Sequence, residues 1–379
     1  MVTRSKQRWL PAVVVSVVAA MTVAFGSIQA GAAASLPDKT PEEILAMVAR
    51  SEVRDFSGTL EQSAALGLPE MPAAGPGTTP GAVPPMELLT GTHTARVYVD
   101  GPSKARFQVM DRMAERDVVV NGRGVWFYNS ADNSAVHFTA PMPTGAVDMA
   151  PRDLPTPGSM ANRLLAGIEA STEVSVDESS TVAGRSAYRL SLRPRDASTL
   201  VDSVAIDVDA ETGLTLGVEV RAKGQEDPAY SLAFTELSLT VPEAALFEFT
   251  PPPGSTVTEK VLPARPAPAM AAPTPQDSMP EDSTEQANPK QASPEPGSQE
   301  PDRPRPTVIG QGWDAVIALP AGAAPAAFTA NPQLAQALQP VSGGRALTTS
   351  LLSVLILDDG RVFAGMVPLE RLQSAAAAL

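Results

Sequence analysis

Asn121-Gly122-Arg123-Gly124-Val125-Trp126-Phe127-Tyr128-Asn129 is the stretch that decides the fold. Asn-Gly favours the tight turn whose two central residues need positive φ, and such a turn joins antiparallel strands. Val136-His137-Phe138 follows shortly after and returns the chain, so the stretch reads as hairpin strands. Trp126 and Tyr128 are two residues apart and share one face of a strand, while Phe127 points the other way. In a chain with only 4% aromatic residues, this pair is expected to face inward and line an apolar interior.

Outward from the hairpin, the same alternation recurs. Leu88–Asp100 reads as a long strand, Gly101-Pro102-Ser103 as its turn and Lys104–Met110 as the return strand. Ala105, Phe107 and Val109 lie on one face of that strand, Arg106 and Gln108 on the other. Asp117–Asn121 and Ala135–Thr139 continue the meander. Phe56–Gln62 reads as the first strand. A second β set runs from Thr172 to Thr250, with strands near Glu173–Val176, Ser186–Leu192, Ser203–Val208, Leu214–Ala222 and Ser231–Leu239. Thr40-Pro41-Glu42-Glu43 opens a helix: Thr40 suits the N-cap, Pro41 the first helical position, and Glu43 completes a capping box. Ser159–Glu169 reads as a second helix, with Met160, Leu164, Leu165 and Ile168 on one side. Segments 67–87 and 141–158 are rich in Pro and Gly and are expected as loops. The fold class is therefore mainly β (α+β): a strongly curved antiparallel sheet packed around one or two helices.

The chain of 379 residues is too long for one compact core. Four segments are expected. Residues 1–34 carry Arg4, Lys6 and Arg8, then an apolar run from Pro11 to Phe25, then small residues, which is the layout of a secretory signal peptide or an uncleaved anchor. Residues 35–258 hold the sheet. Residues 259–306 form a Pro-rich linker that lacks the apolar content to build a core. Residues 307–379 form a small C-terminal α+β unit with a strand at Trp313–Leu319, a helix at Pro332–Gln339, a hairpin of Thr349–Leu357 and Arg361–Val367, and a final helix at Pro368–Ala378. Abundant Arg, Ala and Pro fit a GC-rich genome such as an actinobacterium's. An extracytoplasmic location is expected, with a membrane tether if the signal is retained.

Composition removes several function classes. The formal net charge of −14 argues against a nucleic-acid partner. There are no cysteines, which excludes disulfides, thiol catalysis, Cys-ligated zinc and iron–sulfur clusters. His93 and His137 are the only histidines, both in strand-like segments, and read as strand residues. Asp207, Asp209 and Glu211 alternate before Thr212-Gly213. That spacing suits calcium, but a polar hairpin turn explains it more simply. No cofactor, no metal and no catalytic residue is expected.

Phe56-Ser57-Gly58-Thr59-Leu60-Glu61-Gln62 after a helix, then Asn121-Gly122 with Trp126, Tyr128 and Asn129, then Asn133 and Val136, together resemble the periplasmic lipoprotein-carrier superfamily of LolA, LolB and RseB. Asp207–Gly213 looks like that family's late hairpin turn. The resemblance covers residues 38 to 258. Gly312-Trp313, Leu319-Pro320 and Ser350–Val354 faintly resemble the second domain of RseB-like proteins. The resemblance implies an incomplete antiparallel barrel closed by helices around a cavity for acyl chains, with no catalytic residues. Phe56, Val97, Phe107, Val109, Trp126, Tyr128, Leu164 and Ile168 are the expected lining; Met110, Met113, Met142 and Met160 suit adaptable walls. The implied partners are lipid or lipoprotein acyl chains and an ABC transporter, or an anti-sigma factor for a regulator. A filled structural core is the third alternative.

Overall fold

The computed structural model describes residues 36–68, 89–110, 114–122, 124–139, 155–166, 171–261, 306–322 and 332–379. The segment expected as a signal, most of both segments expected as Pro-rich loops and most of the expected linker lie outside these residues, as do Ile168, Met113 and Met142.

Helix α1 (Pro41–Ala49) starts where its capping box places it. The Thr40 hydroxyl accepts from the Glu43 amide at 3.3 Å, and the Glu43 carboxylate accepts from the Thr40 amide at 2.8 Å. Strands β1 (Asp55–Ala65), β2 (Thr90–Asp100), β3 (Lys104–Met110), β4 (Glu115–Asn121), β5 (Gly124–Asn129) and β6 (Ser134–Thr139) form an antiparallel run. Helix α2 (Pro157–Ala166) precedes β7 (Thr172–Val182), β8 (Arg185–Pro194), β9 (Val201–Asp209), β10 (Thr215–Ala222) and β11 (Tyr230–Ser238). Strand β11 pairs with β1 and joins the two runs into one curved sheet, which does not close into a barrel.

A twelfth strand was not expected. Residues Thr256–Val261 form β12, which pairs in parallel with β6 and ends the sheet opposite β7. The sheet segment thus runs past residue 258, into what reads in the sequence as linker.

One face of the sheet carries both helices. Along the register, Phe56, Val99, Ala105, Val120, Val125 and Phe138 align on this inner face. Leu60, Val97, Phe107 and Phe234 belong to the same buried cluster. A second cluster joins Ile44 of α1 to Leu190, Leu192, Val204 and Ile206. Met160 of α2 packs against both. Each fully buried aliphatic side chain adds about 1.5–3 kcal/mol of burial, so the inner face is where the fold is held.

The C-terminal unit is a six-stranded antiparallel sheet: β13 (Thr307–Ile309), β14 (Val316–Leu319), then after α3 (Pro332–Ala337) strands β15 (Gln339–Val341), β16 (Gly344–Thr348), β17 (Ser353–Leu357) and β18 (Val362–Gly365). Helix α4 (Leu369–Ala378) buries Leu372 against Phe363 and Val316. The expected strand from Trp313 is shorter: Gly312–Asp314 form a 3-10 turn. Thr349–Leu352 form a tight turn, in which Thr349 accepts from the Leu352 amide at 2.9 Å, rather than the start of a strand.

This unit rests on the large sheet. The Trp313 indole donates to the Thr172 hydroxyl at 2.8 Å, and the Thr199 hydroxyl donates to the Met366 carbonyl at 2.7 Å. The Ser350 amide donates to the Leu66 carbonyl at 3.1 Å. Trp313 and Leu351 pack against the Ile44–Leu190 cluster.

Candidate functional site

The expected pocket residues separate into four groups. Phe56 borders a cleft of about 500 Å³ on the inner face, walled by Val53, Val99, Leu214 and Phe234 and by the start of α2. Phe107 and Val109 border a hole of only about 30 Å³, with Leu60, Ala95 and Leu232. Val97 is fully buried core, and Leu164 packs into the Ile44 cluster. Trp126 and Tyr128 are on the wrong side of the sheet for this cleft.

That last point corrects the reading of the hairpin. Alternation fixes that Trp126 and Phe127 face opposite ways but not which way is in. Phe127 is the inner residue: it pairs with Val118 and Val136 and meets Phe138 edge-on, with ring centroids 5.6 Å apart. Trp126 stacks on His137 at 4.0 Å on the outer face, and Phe249 covers both Trp126 and Tyr128 at 5.3 and 5.5 Å. Gly124 is needed here, because a Cβ would lie 2.7 Å from the His137 ring.

Phe249 belongs to a strap that crosses the outer face. Phe247 is buried to 2% exposure in a 3-10 turn packed on β3 and β4. Arg106 holds the strap through the Leu246 carbonyl at 3.2 Å and binds the buried Asp117 carboxylate with two nitrogens. Burial pushes the Asp117 carboxyl up, and Arg106 only partly offsets it. Asn133, at φ 48, ties the hairpin to the strap: its side chain accepts from Tyr128 and Ser255, and its carbonyl accepts from the Thr256 amide. His137 pairs with Glu259 of β12 at 2.9 Å, and His93 with the Thr90 carbonyl at 2.8 Å.

The Phe-x-Gly-Thr stretch acquires a physical reason. Gly58 lies under the Phe234 ring, and a Cβ there would sit 2.8 Å from two of its carbons. Phe234 thereby reaches across β1 to meet Phe56 edge-on at 6.0 Å, and the two rings form the floor of the cleft. Sequence reasoning missed Phe234 and Val99 as lining. Phe234 was legible as the partner of Leu232 at strand spacing; Val99 shares the face of Val97. Arg54 and Thr215, at strand ends, left no pattern to follow.

The acidic turn is spent on structure. Asp209 accepts from the amides of Glu211 and Thr212 and is gripped by Arg185. Burial would raise its carboxyl, but hydrogen bonds from Arg185 and Thr212 outweigh burial and hold it below the usual carboxylate range. Asp207 is held by Arg189 and Ser180, and no cluster with metal-ligand geometry occurs among the described residues. Gly213 at φ 72 lets the Met47 carbonyl of α1 press on the turn. A wider hollow of about 710 Å³ beside the β7 bulge is lined by charged and hydroxyl residues such as Asp177, Ser180 and Arg193. No apolar side chain lines it, so the inner-face cleft is the better candidate for an apolar ligand.

No protein-family model and no curated protein sequence matches the chain. Among solved structures, the Pseudomonas aeruginosa MucA/MucB complex matches at 15% identity over 89% of this chain and 96% of that one, TM-score 0.39. A LolA superfamily protein from Nitrosomonas europaea matches at 11% identity over 56% and 99%, TM-score 0.22. An uncharacterised conserved protein from Thermus thermophilus matches at 12% identity over 58% and 98%, TM-score 0.33. All three are at or below 15% identity, with TM-scores below 0.4. They carry nothing about what this chain binds.

Proposed function

We propose that the chain is an exported, non-enzymatic lipid-binding protein of the carrier type, with the sheet acting as a half-barrel that its helices cover. The observation that supports this most is the cleft of about 500 Å³ between α2 and strands β1, β2 and β11, floored by Phe56 and Phe234. That volume lies within the usual range of about 300–1,000 Å³ for small-molecule sites. Each methylene moved from water to such a wall gains about 0.8 kcal/mol, enough for a chain to bind without covalent chemistry. An ABC transporter or another membrane complex would load the cargo. The test is mass spectrometry of organic extracts from protein purified out of its native envelope. Lipid at near-stoichiometric amounts supports the reading; absence of lipid, together with no uptake of a fluorescent fatty acid, removes it.

A second reading is a regulator that binds an anti-sigma factor or another envelope signalling protein. It is favoured by the docking of the C-terminal unit through Trp313, Met366 and the Ser350 hydroxyl, which donates to the Ala65 carbonyl at 3.3 Å; this builds one composite surface from both sheets. In-cell cross-linking separates the two: a regulator yields a membrane-protein adduct that Ser350→Asp diminishes while lipid content stays constant.

A further inference from the structure

The cleft wall is not uniformly apolar. Arg54 borders it, exposed, and its guanidinium makes no hydrogen bond or ion pair among the described residues. The adjacent Asp55 accepts from the Gly101 amide at 2.8 Å. Thr215, only 3% exposed, also borders the cleft, and its hydroxyl has no hydrogen-bond partner among the described residues. Among the described residues, the hydroxyls sealed from solvent without a partner are those of Ser51, Ser171 and Ser353; Thr215 is not one of them and lies in the cleft lining. At the start of α2, by contrast, Thr156 and Ser159 satisfy each other's amides at 3.1 and 3.2 Å. Arg54 and Thr215 are therefore a cation and a buried hydroxyl group still available to a ligand.

We infer that the cleft takes a single-chain amphiphile with an anionic head. This rests on the lipid-binding reading. The chain lies on Phe56, Val99, Leu214 and Phe234, the head meets Arg54, and Thr215 hydrogen-bonds an oxygen of the head or of its ester. One chain is indicated because the rest of the inner face is occupied: Met160, Leu164 and Leu165 fill it on one side, and only about 30 Å³ remains beside Phe107 on the other. The protein's net charge of −14 repels anions in general, so a preference for an anionic head has to come from this local cation.

The test is displacement of a fluorescent fatty-acid probe from the full chain by palmitate, palmitoyl lysophosphatidic acid, methyl palmitate and hexadecyltrimethylammonium. The two anions are expected to bind about twofold to fivefold tighter than the neutral ester, and added salt narrows the gap. Arg54→Gln abolishes that gap; Thr215→Val weakens palmitate about threefold. Preference for carboxylate over phosphate, or the reverse, identifies the head. Equal binding of all four competitors, or an anion preference that persists in Arg54→Gln, overturns the head-group assignment while the lipid reading stands. No displacement by any of them, with no probe bound, removes both.

Discussion

Gly58→Ala adds one methyl group where the fold leaves no room. A Cβ at this position lies 2.5 Å from the Glu236 carbonyl oxygen and 2.8 Å from two ring carbons of Phe234. The ring is 3% exposed and wedged against Phe56, so it cannot swing away freely. The carbonyl belongs to the neighbouring strand, where a register shift already sits between Thr59 and Leu60. Overpacking of this kind costs about 1–3 kcal/mol. Loss of a glycine from the unfolded chain offsets about 0.4–1 kcal/mol of that. The net destabilisation is about 1–2 kcal/mol, read as a lower urea midpoint by circular dichroism. Phe234 also floors the cleft, so the same variant should bind a fluorescent fatty acid more weakly. A variant as stable as wild type refutes the packing argument. A destabilised variant with unchanged probe affinity refutes the assignment of Phe234 to the ligand wall.

Trp126→Ala removes a half-buried ring from the outer face and should cost about 2 kcal/mol, roughly half the loss at a fully buried aromatic, while probe affinity holds; weakened binding at full stability would return Trp126 to the site. Asp209 has a carboxyl lowered by Arg185 and Thr212, so its ionised form stabilises the fold. That contribution is complete above the unfolded value of about 3.9 and fades as pH falls through the lower folded value. Asp209→Asn should therefore be less stable at neutral pH and should flatten the acid limb of a urea-midpoint titration; an unchanged limb contradicts the assignment. Trp313→Phe deletes the hydrogen bond to Thr172 and should cost about 1 kcal/mol, with faster amide exchange across Thr172 and Trp313 by hydrogen–deuterium exchange. Unaltered exchange there would mean that the indole bond does not hold the two units together.

The strands of the meander were legible because period-two patterning and turn chemistry agree locally, as at Lys104–Met110, whose bounds match those expected. The Thr40–Glu43 capping box was legible for the same reason: its partners are three residues apart. What escaped were facts set by distant chain. The outward direction of Trp126 depends on Phe247 and Phe249 arriving more than a hundred residues later to cover that face. Strand β12 has every residue exposed and pairs in parallel, so it carries no alternating pattern to detect. In the C-terminal unit, β13 and β15 are three residues each, too short for periodicity. The site was half legible: Phe56 was marked by its motif, but Phe234 reaches the cleft only because Gly58 leaves a gap under it.

The central claim is that the inner face, and not the aromatic outer face, receives the acyl chain. Photocross-linking with a diazirine fatty acid, followed by peptide mapping, tests it most directly. The account predicts adducts on peptides containing Phe56, Val99, Leu214 or Phe234, competed away by palmitate. Adducts concentrated on Trp126, Tyr128 or Phe249 would contradict it.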